Sequence, residues 1–166
     1  MNLIMTGIDF AHAALQQREC VSFVRGQVQA LLPELARAPG VSGCVLLATC
    51  NRSELYMHGE DGASLDPLLL LARAAGFDAD VFRPLSVTCA DAECVQHLMA
   101  VAAGLESQIF GDDQILTQVR DALTLAREAQ TTDGVIDTLF RRAGTAGESR
   151  RLYTSPRPTE GLPYPM

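Results

Sequence analysis

The feature that most constrains this chain is a change of hydrophobic period near residue 90. Before that point, short apolar runs of strand length alternate with helical spacings; after it, the spacing is helical almost to the end. Asn2–Asp9 alternates as a strand does. Gln16–Leu35 repeats Val21, Val24, Val28, Leu31 and Leu32 at helical intervals, with Pro33 disturbing its end. Ala38-Pro39-Gly40 is a turn signal. Val41–Thr49 and Glu54–His58 then read as two strands, separated by the polar break Asn51-Arg52-Ser53. Ser64 is placed to cap a helix that runs to Gly76, and Leu85–Cys89 is β-like. Helices are expected over Asp91–Ala103, which begins with Asp91 as a capping-type acid, and over Asp112–Gln130 and Val135–Tyr153. The order β-α-β-β-α-β followed by helices predicts an α+β sandwich of the split β-α-β type with a C-terminal helical extension. One domain is expected over residues 1–153, with 154–166 as a disordered tail, because that segment holds four of the eight prolines.

Composition narrows the function classes. The 166 residues carry 13 basic side chains, all arginine, against 20 acidic ones, a net charge of −7. That balance argues against holding nucleic acid by bulk charge, but leaves room for a local basic patch. Arg141, Arg142, Arg150 and Arg151 are such a cluster: either a solvated helix face or a contact to an RNA backbone. No apolar run reaches bilayer length and Met1–Phe10 lacks the pattern of a secretory signal, so a cytoplasmic protein without membrane partners is expected. The five cysteines have no metal-type spacing, so no metal site is expected and most of the thiols should be buried. Gly-x-Gly-x-x-Gly is missing.

Two stretches carry chemistry. Thr49-Cys50-Asn51-Arg52 lies where one strand breaks before the next. Cys50, two residues from a fixed positive charge, is either a nucleophile or the end of a core strand leading into a turn. Ser107, Gln114 and Gln118 offer neutral donors and acceptors, while Asp112 or Asp113 either lines the same site or caps the following helix. His97 sits alone on a helix, as an acid–base group or as a half-buried structural histidine.

The run Leu47-Ala48-Thr49-Cys50-Asn51-Arg52-Ser53-Glu54-Leu55-Tyr56 resembles the signature of the glutamyl-tRNA reductase family, which opens the five-carbon route to 5-aminolevulinate and the tetrapyrroles. Val95–Leu98, Val101–Ser107, Gly111–Gln118, Ala126–Ala129 and Leu139–Ala143 resemble the same family at matching spacing. The resemblance implies a ferredoxin-like N-terminal catalytic domain. It implies that Cys50 attacks the ester of glutamyl-tRNA to give a thioester, which NADPH reduces to glutamate 1-semialdehyde. Arg52 would pair with a substrate carboxylate, His97 would assist proton transfer, and Thr49, Asn51, Ser107, Asp112, Asp113, Gln114 and Gln118 would line the glutamate pocket. The chain departs from the family at Asp9, Phe10 and Ala14, where Asn, His and Pro are usual, and at Asp112-Asp113 in place of Glu-Pro.

The family's NADPH and dimerisation domains have no counterpart in the sequence. The reductive half is therefore expected from a separate NADPH-binding chain, or the glutamyl group passes to another acyl acceptor. A stand-alone acyltransferase or deacylase, and a non-catalytic tRNA- or partner-binding homologue, are the rival readings.

Overall fold

In the computed structural model, which describes residues 1–109 and 112–154, four strands form one sheet: β1 (Leu3–Asp9), β2 (Val41–Ala48), β3 (Arg52–Gly59) and β4 (Val87–Ala90). Their order is β2-β3-β1-β4 and every neighbouring pair is antiparallel. With α2 (Arg25–Ala36) joining β1 to β2 and α3 (Pro67–Ala75) joining β3 to β4, this is the ferredoxin-like arrangement expected for the chain. The tail assigned to 154–166 lies, from residue 155 onward, outside the described residues, as does Gly111.

Pleating divides the sheet into two buried faces. Register places Met5 opposite Tyr56 and Tyr56 opposite Val45, while Cys44 lies opposite Met57 on the other side. On the first face Phe140, from α7 (Gly134–Thr154), meets Tyr56 edge-on, with ring centroids 5.2 Å apart. On the second face β2 packs on α2, and α3 lies against α2, β1 and β3. The helices α5 (Asp91–Ala102) and α6 (Gln114–Glu128) complete the extension: α5 rests on β1 and α7, and α6 on α7 and β2. Burial on both faces explains why the Val45–Ala48 part of β2 reads as a continuous apolar run. The outer edge of β2 is closed at Cys44, whose N–H donates to the Thr131 carbonyl and whose carbonyl accepts from the Thr131 hydroxyl.

Several boundaries differ from the sequence reading. The helix expected over Gln16–Leu35 is two: α1 (Leu15–Glu19), then α2, with Cys20–Val24 between them. Val21 is buried there and its carbonyl accepts from Ser53 Oγ at 2.7 Å, which ties the break to the sheet. Pro33 lies inside α2; the carbonyl it cannot serve belongs to Gln29, which is exposed to water. The cap of α3 is Asp66, accepting from Leu69 N–H at 3.1 Å, not Ser64, because the cap must directly precede Pro67 at the first helical position. Asp91 does not cap α5. It takes a positive φ of 49° and accepts from Leu3 N–H at 3.0 Å, anchoring the start of β1. A short helix α4 (Ala79–Phe82) and a 3-10 turn (Arg83–Leu85) occupy a stretch with no sequence assignment except Leu85, the expected start of the last strand, which begins at Val87.

Candidate active site

The turn from β2 to β3 presents Cys50 at its tip. Thr49 N–H donates to the Arg52 carbonyl at 2.8 Å, which leaves Cys50 and Asn51 as a two-residue loop. Such loops usually need positive φ, and neither residue has it. The Thr49 hydroxyl supplies the missing restraint, accepting from the N–H groups of Asn51 (3.1 Å) and Arg52 (3.2 Å). The Asn51 carbonyl also accepts from Phe10 N–H at 2.9 Å, so the altered first loop supports this tip through its backbone. Asp9 closes that loop on itself, accepting from the N–H groups of Ala11 and His12 and contacting His12 Nδ1 at 2.7 Å.

Cys50 is exposed, as is Cys20; Cys44 and Cys94 are buried and Cys89 is half-buried. Burial pushes the Cys44 thiol up to about 12, and Cys94, hydrogen-bonded to Cys89 and desolvated, is raised further. Those two are structural thiols.

Thr49, Cys50, Asn51 and Arg52 from the turn meet Ser107, Asp112, Gln114 and Gln118 around a cleft of about 30 Å³. Eight of the ten residues singled out in the sequence thus converge, from segments almost seventy positions apart. Asp112 also accepts from Gln114 N–H at 2.9 Å, serving the start of α6 as well as the cleft.

The other two residues lie elsewhere. Asp113 is exposed at the N-cap of α6, with Arg151 3.8 Å away. His97 stands behind the turn, its Nε2 2.9 Å from Glu54 Oε1. Arg52 connects the two regions. Its Nη1 donates to the same Glu54 oxygen at 2.9 Å, and its Nη2 donates to the Glu106 carbonyl. The Arg52 side chain is only 2% exposed, so a substrate carboxylate must compete with Glu54 for this guanidinium.

Glu54 is the residue the sequence reading passed over. It is buried and accepts from Arg52, from His97 and, at 2.6 Å, from the Tyr56 hydroxyl. Burial by itself raises its pKa, but the hydrogen bond and charge of His97, the Arg52 charge and the Tyr56 hydroxyl bring it below the ordinary carboxylate value. Desolvation pulls His97 down, and Glu54 more than reverses this, leaving the imidazole above its usual value. Tyr56 is raised by burial and by Glu54. Gly7 lies opposite Glu54 in the register, and a Cβ there would stand 2.5 Å from Glu54 Cγ; the absent side chain makes room for the network. The available signal was Arg52, Glu54 and Tyr56 at period 2, which puts a cation, an acid and a phenol on one face of a strand.

The C-terminal arginines are spread along α7. Arg141 pairs with Asp137 at 2.9 Å, and Arg150 donates to the Ala103 carbonyl. Among the described residues no cluster of three His, Cys, Asp or Glu side chains is arranged to hold a metal ion, and no helix is long and apolar enough to cross a membrane.

A family model described as the N-terminal domain of glutamyl-tRNAGlu reductase matches residues 6–154. A glutamyl-tRNA reductase from Acetivibrio thermocellus is 40% identical over 148 residues, covering 89% of this chain and 45% of that protein. A Ruminiclostridium josui protein named "Probable multifunctional siroheme biosynthesis protein HemA" is 37% identical over 152 residues, 91% of this chain and 30% of that one. The structure of glutamyl-tRNA reductase from Methanopyrus kandleri superposes with a TM-score of 0.74 at 30% identity, covering 91% of this chain and 34% of that one. The chain therefore spans less than half the length of each of these relatives.

Proposed function

Because the chain belongs to the N-terminal domain family of the glutamyl-tRNA reductases, we propose that it performs the acyl-transfer half of that reaction in tetrapyrrole biosynthesis, in the cytoplasm. The Cys50 thiolate attacks the ester carbonyl of glutamyl-tRNA. A C–S bond forms, the C–O bond to the terminal ribose breaks, and the departing ribose oxygen takes up one proton. Thr49, Asn51, Ser107, Gln114 and Gln118 orient the glutamyl group by neutral hydrogen bonds. Arg52 and Asp112 set the charge at the cleft. His97 and Glu54 hold the Arg52 guanidinium in place, with the imidazole behind it. The carrying observation is the exposed Cys50 at a braced hairpin tip, sharing one cleft with those polar side chains.

NADPH, in the family reaction, supplies the hydride that converts the thioester to an aldehyde. The described residues do not suit it: no two neighbouring strands of the sheet are parallel, and the glycine fingerprint that opens a dinucleotide-binding crossover is absent from the sequence. No reductive step is therefore assigned to them, and the donor reaches the thioester from outside these residues.

Incubation with tRNA charged with labelled glutamate tests the reading. A hydroxylamine-labile adduct is expected on the protein and is lost in Cys50→Ser. An adduct of equal lability in that variant overturns it.

A further inference from the structure

Acyl transfer uses only Cys50 among the cysteines. Two others, Cys89 and Cys94, stand together beside the Glu54 network, and neither lines the cleft. Register sets Cys89 of β4 opposite Met5, so its side chain shares the face of the sheet that carries Tyr56 and Glu54. At Asp91 the positive φ turns the chain back, and α5 packs over β4 and β1 with Cys94 buried in its first turn. Cys94 and Cys89 share a hydrogen bond. One turn further along α5, His97 reaches Glu54.

The two sulfurs differ in the way that thiol oxidation requires. Cys94 is buried and holds its proton, which makes it inert by itself. Cys89 is half-buried on an edge strand, between the exposed Thr88 and Ala90. The hydrogen bond from Cys94 holds the Cys89 thiol below its ordinary value against desolvation. His97 charge acts in the same direction, and Glu54 and Glu93 oppose it without cancelling it. Two thiols in contact ionise as a unit, so the first proton leaves readily and the second hardly at all. A partly exposed thiolate with a second thiol touching it is the arrangement that oxidises reversibly.

We propose that Cys89 and Cys94 form a peroxide-oxidisable pair that closes to a disulfide and whose state is felt at His97. The Cys89 thiolate attacks one oxygen of a hydroperoxide: an S–O bond forms, the O–O bond breaks, and the oxygen released takes a proton from water. Cys94 sulfur then attacks the sulfenic sulfur of Cys89. An S–S bond forms, the S–O bond breaks, and the Cys94 proton leaves with the hydroxyl as water. The peroxide gains two electrons and the two thiols lose them; a small dithiol reverses the step. Closure removes the negative sulfur beside His97, which after desolvation and Glu54 is the next influence on that imidazole and raises its pKa. A local redox change thereby reaches a histidine that shares Glu54 with Arg52 of the cleft.

The test uses the 166-residue chain with Cys20→Ser and Cys50→Ser, which removes both exposed thiols. It needs no acyl donor, so its result stands apart from the acyl-transfer reading. With stoichiometric hydrogen peroxide near neutral pH, intact mass is expected to fall by two hydrogens. After digestion at Asp91 and Glu93, the fragments carrying Cys89 and Cys94 stay joined until reductant is added. Closure is expected on the order of tenfold faster than in the urea-unfolded chain, where only a few per cent of a thiol is thiolate. In Cys94→Ala the reaction stops at a sulfenic acid on Cys89, which dimedone traps. By NMR, His97 titrates at lower pH in the disulfide form than in the dithiol form. Separate fragments, a bridge to Cys44, or closure no faster than in urea overturns the pair. A joined pair with an unmoved His97 overturns its link to the site.

Discussion

Glu54 carries more of the site than its place in the sequence suggests. It is a buried anion with three donors, one of them from an arginine that borders the cleft and one from a histidine on another element. Replacing it by Gln leaves Arg52 buried without a counter-charge, and removing one partner of such a pair costs about 3 kcal/mol. The expected result is a lowered urea midpoint together with a His97 pKa that falls below its present raised value, read by NMR titration. An unchanged His97 pKa refutes the coupling. The pH dependence has two limbs. Because folding raises the His97 pKa, that residue's contribution is complete below about 6.5 and is lost as pH climbs through the folded value. Because folding lowers the Glu54 pKa, its contribution is present above about 4.3 and is lost as pH falls through the folded value. Urea midpoints measured across pH are expected to peak between these limbs, and His97→Gln flattens the alkaline one.

At the scale of elements, the helical extension holds the second half of the cleft against the sheet. α7 is the element through which that register is kept: Phe140 meets Tyr56 across the interface, and Gly147 passes close to α5. A Cβ on Gly147 would stand 2.6 Å from the Ala102 carbonyl oxygen and 2.7 Å from Leu116 Cδ1. Since backbone blocks one side, Gly147→Ala is expected to separate the two helices and cost about 1–3 kcal/mol. Phe140→Ala opens a cavity beside Tyr56 and costs about 3–5 kcal/mol by denaturant titration. Losses below 1 kcal/mol in both variants mean that α7 is not what fixes this interface. In the hairpin, Thr49→Val removes the acceptor of two N–H groups while keeping the shape. Slower acylation of Cys50 with little change in melting temperature is the expected signature, because the loss falls on the orientation of the tip.

For the whole molecule, the two ends of the proposed reaction separate cleanly. The 166-residue chain is expected to accumulate the glutamyl adduct and release glutamate slowly to water, and added NADPH alone is expected to give no aldehyde. Aldehyde formed by this chain with NADPH shows that the described residues bind a dinucleotide after all. The net charge of −7 bears on the same scale. Any attraction to tRNA is local, and two of the C-terminal arginines that the sequence grouped together are already spent on Asp137 and on the Ala103 carbonyl. The salt dependence of tRNA binding is accordingly expected to be shallow, with Arg141→Ala changing it little.

The strands and the later helices are written locally, in the two-residue alternation of β1 and β3 and the helical spacing of α5 and α6, since each period follows from where successive side chains point. The residues around Cys50 were legible too, because a polar run between two apolar strands has nowhere to go but a turn. Three features depend on what packs against what. Val21 broke one expected helix by serving Ser53 from beneath the sheet, and Asp91 gave up its cap to hold Leu3. Glu54 became a hub because Arg52, Tyr56 and His97 surround it, and only Tyr56 and Arg52 are near it in sequence. Side-chain polarity and spacing are properties of a stretch of chain; burial and the partner a charge finds are properties of the assembled interior, where desolvation makes every unmet bond count.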